Sequence, residues 1–209
     1  MTSLASMITS SRSAGTTKDD LQVIHPGTDP AASGRGAGAG VRRVVWPLLR
    51  IAMGFLFLWA FLDKGFSLGF ATGRGDDGNV DVNGPRAWLQ GGSPTEGYLA
   101  NAPTGPFAGL FKDLAGITVV DWLFMLGMLG VGLALLLGIG LRIAAVAGIA
   151  LMLMIRATFS LPENNPVVDE HLVYVLVLAL VAVEPAAARW SAAGVWARSP
   201  LVRRWPVLR

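Results

Sequence analysis

Arg156 stands inside a long apolar run, Leu141–Leu161, with no polar neighbour nearer than Thr158. A guanidinium in hydrocarbon is costly, so a chain that carries one there pairs it or uses it. Helix rise sets its level: Arg156 lies about 14 residues past Arg142, roughly 21 Å along its run. Asp63 and Lys64 lie about 19 residues past Val45, roughly 28 Å along theirs. Asp169, Glu170 and His171 open a further apolar run. Separate runs thus bring Asp63, Lys64, Arg156, Asp169, Glu170 and His171 to a similar depth. Cations at Arg156 and Lys64 suit an anion or a quinone carbonyl, and Glu170 with His171 suits proton transfer to the nearby face.

Each of these residues also has an ordinary reading. Lys64 can snorkel its ammonium to the headgroups. Asp169 and Glu170 complement the dipole at a helix N-terminus. Arg156, paired with Asp63, Asp169 or Glu170, would simply hold helices together. The residues alone leave both readings open, a site or a structural ion-pair network. Met125, Met128, Met152 and Met154 are expected as apolar filler, not as a soft-metal site.

The elements that must position this group follow from composition. Hydrophobic residues make up 53% of the chain and charged residues 15%, the balance of a membrane protein. Four runs, roughly 44–70, 119–139, 141–161 and 167–184, approach the length a helix needs to cross a bilayer core of about 30 Å. The expected fold is all-α: a bundle of four transmembrane helices with a long outer loop carrying short interfacial helices. There is no cysteine and there are only two histidines, His25 and His171. Thiolate metal sites, iron–sulfur clusters and disulfides are therefore excluded within this chain, and no metal is expected. Any redox cofactor is expected to be a bound small molecule or a partner's.

Residues 1–40, rich in Ser, Thr, Ala and Gly, bury too little apolar surface to offset ordering entropy and are expected to be a disordered tail. The membrane domain is expected over 41–188 and a basic tail over 189–209. Arg42, Arg43 and Arg50 flank the first span, Arg142 the turn between the second and third, and Arg189, Arg198, Arg203, Arg204 and Arg209 follow the fourth. The opposite connections are acidic on balance, with Asp76, Asp77, Asp81, Glu96 and Asp113 in the loop 71–118 and Glu163 in the shorter one. By the positive-inside rule both termini are cytoplasmic. Basic residues beside spans report orientation and are no nucleic-acid signature. Gly130, Ala134 and Gly138, with Ala144 and Gly148, predict close approach of the second and third spans around the tight turn Gly138-Ile-Gly140. In the outer loop, Pro85–Gln90 and Pro106–Ala115 read as amphipathic pieces, either a lid over the bundle or a headgroup anchor.

The first span ends in Phe61-Leu-Asp-Lys-Gly-Phe66, the third opens with Gly140-Leu-Arg-Ile-Ala-Ala145, and the fourth reads Asp169-Glu-His-Leu-Val-Tyr-Val-Leu-Val-Leu178. With four spans and both ends inside, the pattern over residues 41–188 resembles the DoxX family. The loop segment Trp88-Leu-Gln-Gly-Gly-Ser-Pro-Thr-Glu-Gly97 is similar to the related DoxD subunit of thiosulfate:quinone oxidoreductase. The resemblance implies a subunit of a quinone-linked oxidoreductase, of the thiosulfate:quinone type, in a bacterial cytoplasmic membrane. It implies menaquinone or ubiquinone as cofactor, and a partner redox protein or further copies of the chain beside the lipid bilayer. Glu170, His171 and Asp63 are then the candidate proton-transfer residues, and Arg156, Lys64, Asp169 and Arg142 the candidate ligand-holding ones. Lys64, Arg142 and residues 169–171 match family features, whereas Arg156 is assigned from its cost and depth. The alternative is a non-catalytic scaffold that docks a partner redox enzyme. A transporter is disfavoured, because the spans show no broken helix or inverted repeat.

Overall fold

Each of the four apolar runs folds as a helix, and the polar segments between them carry only short ones. In the computed structural model, residues 30–75, 77–159, 165 and 167–205 are described, with side chains from Gly38 onward except Leu201. Expectations for residues 1–29, Asp76, Glu163 and Arg209 lie outside them. The chain divides into residues 1–37 and 38–209, and of the first unit only the backbone of 30–37 is described. Helix α1 (Pro30–Phe66) is followed by a 3-10 turn at Trp88–Gln90 and by helices α2 (Glu96–Asn101) and α3 (Ala108–Asp113). Then come α4 (Thr118–Leu137), α5 (Leu141–Ala157), α6 (Glu170–Val183), a 3-10 turn at Pro185–Ala188, α7 (Ala193–Trp196) and α8 (Pro200–Arg204). Among the described residues there is no strand, only an isolated bridge between Arg74 and Val80. The expected tail 1–40 is mostly undescribed, and from Pro30 its backbone is already that of α1.

Two stretches, Gly38–Phe66 and Thr118–Leu137, are long and apolar enough to cross a membrane. Helices α5 and α6 have 17 and 14 residues, shorter than their apolar runs. The reasons are local: Thr158 turns its hydroxyl onto the Ile155 carbonyl at 2.7 Å as α5 ends, and Asp169 caps α6 by accepting from the Leu172 amide at 3.0 Å. Between α4 and α5 the tight turn is as expected, with Gly138 and Gly140 at φ 68° and 54°, a left-handed backbone that glycine adopts without cost.

One hydrophobic core draws on all four long helices, with Phe57 from α1, Val131 from α4, Leu151 from α5 and Leu178 from α6. They converge on Gly148: a Cβ there would lie 3.0 Å from Leu178, 3.2 Å from Val131 and 3.4 Å from Phe57. Helices α1 and α4 cross with their backbones in close approach. A Cβ on Gly54 would come 2.8 Å from the Leu136 amide nitrogen, and one on Gly132 would come 2.8 Å from that of Leu58. The second and third spans also pack against each other as expected, with Gly148 against Val131 and Gly127 against Leu151, but Gly130 and Gly138 take no part in that contact. Gly130 has nothing within 4 Å of its would-be Cβ, and Gly138 serves as a helix cap. Equal spacing aligns small residues on one face but does not say which helix they meet.

Arg50, expected as a flanking charge, is fully buried. Its guanidinium donates to the carbonyls of Leu135 and, at 3.1 Å, Leu136, the last turn of α4. It also donates to those of Arg189 at 3.3 Å and Trp190 at 3.0 Å. The carbonyls orphaned at a helix C-terminus and the negative end of its dipole are thus met by a cation from another helix. At the same end, Arg42 pairs with Glu184 at 2.7 Å.

Candidate functional site

The ionisable residues expected together do lie at one end of the bundle, but the structure sorts them into separate groups. The first joins α5 to α6. Asp169 Oδ2 sits 3.1 Å from His171 Nδ1 and 3.4 Å from Arg156 Nε. That last pair is close enough for charge attraction but is not aligned as a hydrogen bond, and Arg156 Nε has no such partner. The Arg156 Nη1 donates weakly to the Phe159 carbonyl at 3.4 Å. Glu170 points outward, 67% exposed, with its carboxylate 4.0 Å from His171. This is the ion-pair arrangement that the residues alone left open, with Asp169 as the partner and not Asp63.

Asp63 is spent on the backbone. Buried at the end of α1, it accepts from the amides of Phe70 at 3.0 Å and Ala71 at 2.8 Å and folds the chain back over the helix. Lys64 follows it by about 100° of helix rotation and therefore faces elsewhere. Arg142 is exposed at the opposite end of α5, about 21 Å from Arg156 by helix rise.

Lys64 faces a cavity of about 1460 Å³. Phe124 and Gly127 of α4 and Leu151 and Met154 of α5 form its floor, and the long segment between α1 and α4 forms its roof with Tyr98, Leu99 and Phe111. Arg74 and Arg86, both exposed, stand at the rim. Lys64 is half-buried and makes no hydrogen bond or ion pair with any described residue. Arg156, Asp169, Glu170 and His171 are absent from the described lining.

The roof is fastened at points that the residues alone did not single out. Asp121, buried in the first turn of α4, accepts from the Thr95 hydroxyl at 2.6 Å, the Thr95 amide at 3.1 Å and the Ser93 hydroxyl at 3.0 Å. The Thr158 carbonyl accepts from the amides of Thr104 and Gly105 at 2.9 and 3.0 Å. The Thr158 hydroxyl gives its proton to Ile155, so at the 2.7 Å contact between Tyr98 and Thr158 the phenol is the donor. Burial pushes the Tyr98 phenol above its ordinary value, against the smaller effect of that hydrogen bond, so it stays protonated. Trp88 packs edge-on against Trp122 at 4.7 Å and Phe61 at 6.2 Å, so the Pro85–Gln90 piece is part of the cap. In the Pro106–Ala115 piece Phe111 faces the cavity, as a lid would require, while Phe107 and Leu110 stay exposed.

A lysine set between apolar walls, with Arg74, Arg86 and Glu96 toward the rim, can hold an acceptor oxygen of a molecule whose remainder is hydrocarbon. Comparisons with protein-family models, curated proteins and solved structures find no match for this chain.

Proposed function

We propose that the chain is a multi-pass protein of the bacterial cytoplasmic membrane, with α1, α4, α5 and α6 crossing the bilayer and both termini inside. In this reading it is a DoxX-like subunit of a quinone-linked oxidoreductase, and the cavity under the outer loop is its quinone site. The observation that carries it is Lys64, a half-buried ammonium without a described partner, facing a large and mostly apolar cavity. The residues fit the group. Lys64 would donate to a ring carbonyl, Phe124, Leu151 and Met154 would pack the ring and chain, and Tyr98 Oη keeps a lone pair free to accept. A quinone bound there would take up two electrons and two protons, the electrons coming from a partner subunit.

Of the four residues expected to hold the ligand, Lys64 keeps that role in this reading, whereas Arg156, Asp169 and Arg142 do not. Arg156 and Asp169 clamp α5 to α6, and His171 with Glu170 lies beyond the Tyr98–Phe159 ring contact, outside the lining.

Titration of the purified protein in detergent with menaquinone and with ubiquinone, followed by tryptophan fluorescence, tests this. Saturable quenching by one of them, weakened at least about tenfold in Lys64→Met, equivalent to about 1.4 kcal/mol, is expected. No saturable binding, together with a stoichiometric redox enzyme co-purifying from native membranes, would favour the scaffold role instead.

A further inference from the structure

Resting on the quinone reading above, we infer that the ligand's hydrocarbon chain leaves the cavity along the seam between α4 and α5 and lies there as far as Trp196. The cavity is bordered by a second hollow of about 360 Å³, and the two share the lining residues Gly127 and Ala147, so together they mark out a trough along the seam. Beyond the shared residues its walls are Gly130 and Ala134 of α4 and Ala144 of α5, with Trp196 at the far end. Gly130 is the telling position, because a Cβ there would meet nothing within 4 Å. The two helices touch at Gly127 and Gly148, and the exposed small residue Gly130 leaves a groove along the outward side of their seam. From Val120 to Ala134 the trough follows about 14 residues of α4, roughly 21 Å.

Its polarity is one-sided. Lys64, Arg74, Arg86 and Glu96 lie at one end, and the walls below Gly127 are hydrocarbon. That division matches a single amphiphile with an acceptor-bearing head and one long chain. A second copy of this chain related by a two-fold axis along the membrane normal would bring its own excess of cations, Lys64, Arg74 and Arg86 against Glu96, to the same end, where like charges repel.

The test places the protein in phosphatidylcholine vesicles with a menaquinone analogue carrying a photoactivatable diazirine at the end of its chain. The inference expects cross-links mapping to the Gly130–Ala144 stretch and to Trp196, suppressed by excess unlabelled menaquinone. Gly130→Trp, which fills open space, should cut that labelling at least tenfold while a short-chain quinone still quenches tryptophan fluorescence as in the parent. Tail labels spread equally over the outward faces of α1 and α6, or labelling that unlabelled menaquinone does not suppress, would overturn it. Short-chain binding that persists alongside such dispersed labels sinks this inference alone, whereas failure of the short-chain quinone to bind sinks the quinone reading with it. The parent chain has no cysteine, so disulfide formation between copies of Ile143→Cys would show that a second copy, and not a hydrocarbon chain, fills the trough.

Discussion

Gly132→Ala and Gly130→Ala make the same change two residues apart on one helix and should have opposite effects. At Gly132 the new methyl would sit 2.8 Å from the Leu58 amide nitrogen and 3.0 Å from the Leu58 Cα. Unstrained carbon contacts lie at about 3.5–4.0 Å, so α1 and α4 must move apart by about half an ångström or more. The obstacle is backbone and cannot rotate away, which puts the cost near the top of the usual overpacking range of about 1–3 kcal/mol. Alanine returns about 0.5–1 kcal/mol through its better helix propensity, leaving a net loss of about 2 kcal/mol. At Gly130 the methyl meets open space, so only the propensity gain of about 0.5–1 kcal/mol remains. For a chain of this size 1 kcal/mol moves Tm by about 2–4 °C, so Gly132→Ala should fall by about 4–8 °C and Gly130→Ala rise by about 1–4 °C. The chain's seven tryptophans allow thermal unfolding in detergent to be followed without a label. Gly54→Ala meets the same crossing from the other side, so the double substitution Gly54→Ala with Gly132→Ala should cost less than the sum of the two. If Gly132→Ala proves as benign as Gly130→Ala, the α1–α4 crossing described above is wrong.

Three further outcomes follow from the contacts. Arg50→Ala should destabilise by about 3 kcal/mol or more, because it strips a charged donor from the carbonyls of Leu135, Leu136, Arg189 and Trp190; Arg50→Lys should not restore the loss, since one ammonium cannot reach both segments, and thermal unfolding reads both. Asp121→Asn should cost about 1–3 kcal/mol and loosen the roof, seen as faster proteolysis between residues 93 and 105, since an amide in place of a carboxylate weakens the bonds from Thr95 and Ser93. Arg156→Leu should lower stability yet leave quinone affinity within about twofold, a split between unfolding and binding assays that an Arg156 in the site would not show.

How much of this was legible beforehand differs by element. The four helices were, because each apolar run is long and bounded by glycine, proline or charge. The turn was too, because Gly138 and Gly140 can adopt the left-handed backbone. The level of the charges was legible from helix rise, but not their facing. Asp63 and Lys64 are adjacent in sequence, yet one is consumed by backbone amides while the other fronts the cavity. Arg50 looked like a topology signal because it stands near a run's start. Its spacing with Met53 and Phe57, at i, i+3 and i+7, was the available sign that it lies on the core stripe. Asp121 carried no such sign, because its partners Ser93 and Thr95 reach it only through the fold of the long loop. Gly130 and Gly132 show the same limit from the other side. Both are small residues in one helix, and only packing decides which is a contact and which stays open.

The most direct measurement is the quinone content of the protein purified from its native membrane, extracted and quantified by mass spectrometry for the parent chain and for Lys64→Met at equal folded yield. A Lys64-anchored site predicts near one quinone per chain in the parent and at least about tenfold less in the variant. A parent chain without quinone, or a Lys64→Met chain that retains the parent's content, would contradict it.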